Sequence, residues 1–228
     1  MSILQHIPEV VTAVGGLGTA AFGLVDATKV FWGGVNHVGF SKIESRVSAL
    51  TPVVGQGINA LTQEELLKTL KANWFNGTDL SSQKAIAKSL IKLHMNPDNA
   101  AALAKATNVA PELLSSVASN IASGATLTQA QSDVYARFDF IVTALLDETY
   151  QDADQDYRNG TKALAVVFSL ALAITSAQIL NSDATAGFTV SIWEAIVVGI
   201  LATPLAPIAK DISTALTTAV NALQIVKK

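Results

Sequence analysis

The sequence predicts an all-α integral membrane protein with about three transmembrane helices and a cytoplasmic helical domain. Half of its 228 residues are hydrophobic, only 14% are charged, and the mean hydropathy is +0.40. Soluble globular chains carry about 25% charged residues, so this chain has too few to cover a water-facing surface of its size. The absence of cysteine and the net charge of −3 exclude a disulfide scaffold, cysteine-based metal sites and a nucleic-acid binder with basic patches.

The first predicted element is a glycine-rich N-terminal transmembrane helix within residues 1–34. Residues 10–25 carry no charge, and continuation to Trp32 gives the roughly 20 residues that a bilayer requires. Asp26 and Lys29 share one face near the end of this helix, where they can form an ion pair or reach the lipid headgroups. A buried helix or a re-entrant segment is the alternative.

Small residues form a stripe on this first helix, at Gly15, Gly16, Thr19, Ala20, Gly23 and Ala27. Helices associate in lipid through close packing, which small residues allow. Each glycine also costs about 0.8–1 kcal/mol of helix propensity relative to alanine, as measured in water. The stripe therefore predicts a helix–helix contact, either with a second copy of the chain or with the other spans of the same chain.

Residues 35–125 are predicted to form a cytoplasmic domain of short helices. Residues 62–65 match a capping box, in which a Thr and a Glu satisfy backbone groups at a helix start. The next helix is expected to begin at Ser81 or Ser82, and the proline-containing segment 96–98 is expected to end it.

The longest uninterrupted helical pattern covers residues 126–181. Residues 126–129 form a second capping-box candidate, and apolar residues recur at helical spacing towards the uncharged run 163–180. We therefore expect a stalk helix that leaves the cytoplasmic domain and continues as the second transmembrane span. Gly160 would permit a break, which is the alternative.

The third span is predicted for residues 188–209, and an amphipathic C-terminal helix for residues 210–228, either on the membrane surface or packed on the bundle. Glu194 lies inside this span, where a carboxylate is costly and is a functional hypothesis by default. The alternative places Glu194 at the outer interface. Pro204 and Pro207 predict an elbow between span and tail, because proline removes backbone donors.

The positions of Lys and Arg predict the orientation. None occurs in residues 1–28 or in the loop 181–187, whereas eleven occur in residues 42–162. By the positive-inside rule the N-terminus lies outside, and residues 42–160 and the C-terminus lie in the cytoplasm. A two-span arrangement with the first 32 residues inside fits the charges equally well.

The last ninety residues resemble a loose group of small bacterial inner-membrane proteins of unknown function. The matching positions are Phe138 with Asp139, Tyr157 with Arg158, Asn181 with Asp183, Trp193, and Ala206 and Pro207 with Asp211. The group usually carries Phe-Trp after the final proline, where this chain has Ile208-Ala209. The resemblance implies a bacterial inner (plasma) membrane and three helices, and it implies no activity.

These features predict a self-associating structural or assembly protein that has no catalysis and no cofactor. Its expected partners are the lipid bilayer, further copies of the chain and a cytoplasmic protein bound by the helical domain. One alternative is an oligomeric channel subunit, with Glu194, Thr175 and Ser176 lining the pore. Another is an accessory subunit of an energy-transducing complex. The acidic segment 152–156 lacks the glycine and glutamate that a calcium loop requires, so no metal site is predicted.

Overall fold

The computed structural model describes residues 7–53, 62–182 and 189–207. In these ranges the chain forms eight helices and no strand, which confirms the all-α prediction. The predicted amphipathic tail, residues 210–228, lies outside the described residues. The helices are, in chain order, α1 (Ile7–Trp32), α2 (Asn36–Leu50), α3 (Gln63–Phe75), α4 (Leu80–His94), α5 (Ala100–Thr107), α6 (Pro111–Ser123), α7 (Gln129–Ser182) and α8 (Ile192–Pro207).

The helices divide into two compact units. One unit, called here the helical domain, is Asn36–Tyr157, and the other, called the apolar bundle, contains the described residues up to Val35 and those from Arg158 onward. Helix α7 contributes to both, because it is one continuous helix of 54 residues, as the sequence pattern predicts. Gly160 does not interrupt it.

The helical domain is built around a core of large side chains. Phe138, Val142, Leu146 and Tyr150 of α7 recur every four residues and are fully buried. They pack with Phe40, Ile43, Val47, Leu50, Leu66, Leu70, Trp74, Ile91, Leu103 and Leu114 from the five preceding helices. Each such side chain contributes about 1.5–3 kcal/mol by leaving water. The first half of α7 is therefore a core element of this domain, whereas the sequence analysis treats it as a projecting stalk.

Two helix starts in this domain show how side chains fix the boundaries. The capping box of α3 is confirmed: the backbone N–H of Thr62 donates to Glu65 Oε2 at 2.9 Å, and the backbone N–H of Glu65 donates to Thr62 Oγ1 at 3.2 Å. Helix α4 begins earlier than the predicted Ser81 or Ser82. Its cap is Asp79, whose carboxylate accepts from the backbone N–H of Ser82 at 2.9 Å.

The capping residue of α7 lies two residues after Thr126, with which the predicted capping box at residues 126–129 begins. Thr128 is the capping residue instead, since its backbone N–H donates to Gln131 Oε1 at 2.8 Å and its hydroxyl accepts from the Gln131 N–H at 3.3 Å. The amide of Gln131 also bonds to Ser116 and Asn120 of α6. These tertiary contacts select this position for the cap.

Candidate functional site: the small-residue faces of the apolar bundle

Two helices of the apolar bundle are long and apolar enough to cross a membrane. They are the segment Val10–Phe31 of α1, and α7, while α8 is a shorter apolar helix. Only 22% of the apolar window of each long helix is buried within the chain. The core helix of a soluble protein is mostly buried, so these two helices differ from that type.

The helices of the bundle bury small residues. The buried positions are Gly15, Gly18, Ala21 and Val25 of α1; Ala165, Ser169, Ala173 and Ala177 of α7; and Ala195, Gly199, Ala202, Thr203 and Ala206 of α8. Large apolar side chains point outward instead, among them Val10, Leu24, Val30, Phe31, Val167, Ile179, Ile192, Trp193, Val197 and Ile200. This distribution is the reverse of that in the helical domain. It is typical of helices surrounded by lipid, where close packing and not the burial of large side chains drives association.

Two glycines allow close contacts between different helices of the bundle. A Cβ on Gly18 of α1 would overlap the backbone carbonyl of Ala202 in α8. A Cβ on Gly199 of α8 would lie 2.8 Å from the Cα of Leu170 in α7. Because a backbone atom cannot rotate away as a side chain can, neither position accepts a larger residue without a shift of a helix.

A buried hydroxyl pair also joins α7 to α8. The Ser169 hydroxyl donates to the carbonyl of Gly199 at 2.7 Å, and its oxygen lies 3.3 Å from the hydroxyl oxygen of Thr203. Ser169 is fully buried and Thr203 is nearly so. Hydrogen bonds between membrane helices contribute about 0.6 kcal/mol on average, so this pair adds modestly to the close packing.

The structure divides the predicted stripe of α1 between two faces. Gly15 is buried within the bundle, whereas Gly16, Thr19, Ala20, Gly23 and Ala27 are exposed. A Cβ on Gly16 or Gly23 would meet nothing within 4 Å. At about 100° per residue, Gly16, Ala20, Gly23 and Ala27 are centred on the side of the helix opposite to the buried residues Gly15, Gly18, Ala21 and Val25. Thr19 lies between these two sides, about 40° from Gly15. We call Gly15, Gly18, Ala21 and Val25 the inner face, and Gly16, Ala20, Gly23 and Ala27 the outer face.

The stripe predicted from the sequence did not distinguish this inner face from the outer face. Gly18 and Ala21 follow Gly15 at three-residue intervals, which is also a helical spacing. That spacing was available in the sequence, but the four-residue repeat from Gly15 to Ala27 obscured it.

The predicted polar residues of α1 form the ion pair that their spacing indicates. Lys29 Nζ lies 2.7 Å from Asp26 Oδ1, three residues earlier on the same helix. Asp26 remains largely exposed and Lys29 is half-buried.

Glu194 lies in the first turn of α8, because this helix begins at Ile192 and not near residue 188 as predicted. Its Oε2 accepts from the backbone N–H of Ser191 at 2.7 Å, and its own N–H donates to Ser191 Oγ at 3.3 Å. These reciprocal bonds form a capping box, which the Ser-x-x-Glu spacing could have revealed. Glu194 is exposed, and the cap accounts for its place at the helix start.

The other two residues considered for a pore are also exposed, and they differ in environment. The Thr175 hydroxyl donates to the carbonyl of Ala171 in its own helix at 2.7 Å. Ser176 lines a cavity at the end of the bundle that faces the α7–α8 connection.

The two prolines of the predicted elbow lie within the last two turns of α8. The helix passes through Pro204 without a break and is described as far as Pro207. The residues that would form the far side of the elbow lie outside the described ranges, so the elbow stays a prediction.

The side chain of Asn181 clamps α7 to the start of α8. Its amide nitrogen donates to the carbonyl of Val190, and its amide oxygen accepts from the Val190 N–H, both at 2.8 Å. One side chain thus holds the backbone nine residues later, which fixes where α8 begins relative to the end of α7.

The acidic part of α7 forms ion pairs within the helical domain. Asp147 pairs with Lys84 of α4, and Asp156 lies 2.9 Å from Lys42 of α2. Asp139 accepts from Lys92 at 2.9 Å and from Lys88 at 3.2 Å. Partial burial disfavours the charged form of Asp139, but the two ammonium groups outweigh it and lower the pKa of this carboxyl.

The same acidic stretch offers no metal site in the part of the chain that the structure describes. No group of three His, Cys, Asp or Glu side chains comes together there to hold an ion. Asp139, Asp147, Asp152 and Asp156 are instead partners of lysines on neighbouring helices, and Glu148 pairs with Arg46.

Comparison of the chain with protein-family models, with curated proteins and with solved structures gave no match. A function for the chain must therefore be argued from the geometry of the apolar bundle. The distinctive feature of that geometry is the outer face of α1.

Proposed function

We propose that the chain is a self-associating, multi-pass membrane protein with a structural or assembly role and no catalysis of its own. In this proposal the outer face of α1 packs on the same face of a second copy. The observation that carries it is the exposure of Gly16 and Gly23, which have open space around them, on the side opposite the inner face.

The glycines of the outer face lower the intrinsic stability of α1. Contact within the chain accounts for Gly15 and Gly18, but not for Gly16 and Gly23. Each of the latter costs about 0.8–1 kcal/mol of helix propensity, as measured in water, and leaves no side chain to contact lipid. A face made of small residues offsets this cost when the backbone of another helix packs closely against it. A second copy presents the same face, so a twofold dimer is self-complementary there.

The membrane location rests on composition and on the packing of the bundle. We propose that α1, the second half of α7 and α8 all span a bacterial inner membrane. Helix α8 as described is about 24 Å long, which is shorter than a hydrocarbon core of about 30 Å. A third span therefore needs local thinning of the bilayer or continuation of the helix beyond Pro207, towards the predicted end at residue 209.

The proposed orientation places the N-terminus outside and the helical domain with the C-terminus in the cytoplasm. A cysteine introduced at Ser182 should react with an impermeant thiol reagent added to intact cells, and one at Ser81 should not. Both side chains are exposed, so accessibility within the protein does not separate them. Labelling of Ser81 alone would overturn the orientation.

A cytoplasmic protein partner belongs to the same proposal. The exposed apolar side chains of the helical domain support it, with Phe140 at 73% and Leu93 at 59% exposure. Large apolar side chains are costly on a surface that meets only water, although scattered examples are common.

Self-association is tested by the mass of the particle in mild detergent. Gly16→Leu with Gly23→Leu fills the outer face, and we expect the mass distribution to shift to the monomer. The matched control is Ala163→Leu with Ala171→Leu, which adds side chains at two exposed positions of α7. An unchanged mass for the outer-face variant would contradict the proposal. A lower yield with an unchanged particle size would assign the outer face to folding.

A further inference from the structure

A cavity of about 340 Å³ lies within the apolar bundle near the α7–α8 connection. All three helices line it. The lining residues are Ala13, Val14 and Leu17 of α1; Ala173, Ser176, Ala177 and Leu180 of α7; Ala195 and Val198 of α8; and Val190, which precedes α8. Its volume falls in the range of about 300–1,000 Å³ that is usual for ligand sites.

The lining determines what can occupy this space. Among the described lining residues, Ser176 contributes a hydroxyl and the others are aliphatic, so these residues offer too few polar side chains to hold ordered water. Close contacts lie on both sides of this space: Gly18 meets Ala202 and Ser169 bonds to Gly199 on one side, and Asn181 bonds to the backbone of Val190 near the α7–α8 connection. Between these contacts the three helices leave an apolar space.

We infer that this cavity binds one acyl chain of a phospholipid in each copy of the protein. The inference rests on the proposed membrane location. The cavity reaches the surface of the bundle, because its lining residues Ala13, Ser176 and Leu180 are exposed. Large apolar side chains on the same bundle, such as Val10 and Ile192, are exposed as well. In a bilayer that surface meets hydrocarbon chains, and an acyl chain is the flexible aliphatic molecule present there at the highest concentration.

A second copy of the protein does not compete for this space. The cavity uses Ala13, Val14 and Leu17 of α1, none of which belongs to the outer face. Lipid binding and self-association therefore use different residues of α1. Ala13 borders the outer face, so a change at Ser176 on α7 is the one that separates the two functions.

Native mass spectrometry of the full chain tests the inference and reports oligomeric state in the same spectrum. The protein is reconstituted in vesicles of 1-palmitoyl-2-oleoyl phosphatidylethanolamine and phosphatidylglycerol and released into mild detergent. We expect about one retained phospholipid per chain. Ser176→Phe and Ala13→Phe, both at exposed lining positions, should lower its occupancy at least about tenfold, which corresponds to about 1.4 kcal/mol.

The control is Ala171→Phe, an exposed position on α7 that does not line the cavity, and it should retain the lipid. Equal retention in the cavity variants and the control would overturn the inference, as would a wild-type protein that carries no phospholipid. An adduct with the mass of an isoprenoid quinone would overturn the acyl-chain assignment. Loss of the dimer with the lipid retained would count against self-association alone.

Discussion

The effect of a single added methyl group at Gly18 should distinguish the inner face of α1 from its outer face. Gly18→Ala places a Cβ on the carbonyl of Ala202, whereas Gly16→Ala, two residues earlier, places one in open space. Both variants gain the same helix propensity, about 0.8–1 kcal/mol on a scale measured in water. The difference between them therefore isolates the effect of the contact with α8.

The magnitude of this difference follows from what the new methyl group meets. Overpacking a tight contact costs about 1–3 kcal/mol, and the carbonyl of Ala202 has no rotamer that would relieve the overlap. We therefore expect Gly18→Ala to be less stable than Gly16→Ala by about 1–3 kcal/mol. Relative to the wild type, Gly16→Ala should be neutral or slightly more stable.

The assay is unfolding of the detergent-solubilised protein by a denaturing detergent, followed by circular dichroism. The comparison is made at a detergent excess at which both variants are monomeric, since Gly16 belongs to the proposed dimer contact and self-association would change apparent stability by mass action. Equal stability of the two variants, or a more stable Gly18→Ala, would refute the contact between α1 and α8 on which the assignment of the faces depends.

Three further changes test other parts of the structure. Asn181→Leu removes both bonds to Val190 and should cost about 0.5–1.5 kcal/mol for each bond, seen as faster hydrogen exchange of the Val190 amide; unchanged exchange would contradict the clamp. The ion pairs of Asp139 lower its pKa in the folded state below its value in the unfolded chain, which is about 4. They therefore stabilise the protein above pH about 4, and this contribution is lost as the pH falls through the folded-state pKa. Asp139→Asn should therefore weaken the dependence of unfolding on pH below about 4, and an identical pH profile would argue against the pairing with Lys92. Phe138→Ala should destabilise the helical domain by about 3–5 kcal/mol in the same unfolding assay, and a loss below about 1 kcal/mol would place this ring outside the core.

The long helix and the all-α class could be predicted because they depend on local patterns. Residues after 126 contain no proline until Pro204, and their apolar spacing is helical over many turns. The start of α7 could not be placed by the same means. Thr126 and Thr128 are both reasonable caps, and the contacts of Gln131 with α6 decide between them.

The assignment of the two faces of α1 could not be predicted from the sequence. Small residues surround much of this helix, so their periodicity indicates close packing without indicating which side packs within the chain. Only the position of the Ala202 carbonyl next to Gly18 assigns the inner face. The Glu194 cap was in principle predictable from Ser191, but the sequence was interpreted only as an intramembrane carboxylate or as one at the outer interface.

The central claim is that the outer face of α1 meets the same face of a second copy, and disulfide cross-linking in native membranes tests it most directly. The chain has no cysteine, so Ala20→Cys provides a single thiol on the outer face. A disulfide requires Cα atoms within about 7 Å, a distance that small-residue helix contacts reach. Ile200→Cys is the control, because it is 51% exposed but lies on α8. We predict a covalent dimer from Ala20→Cys under mild oxidation and none from Ile200→Cys. No dimer at Ala20, or equal dimer at both positions, would contradict the account.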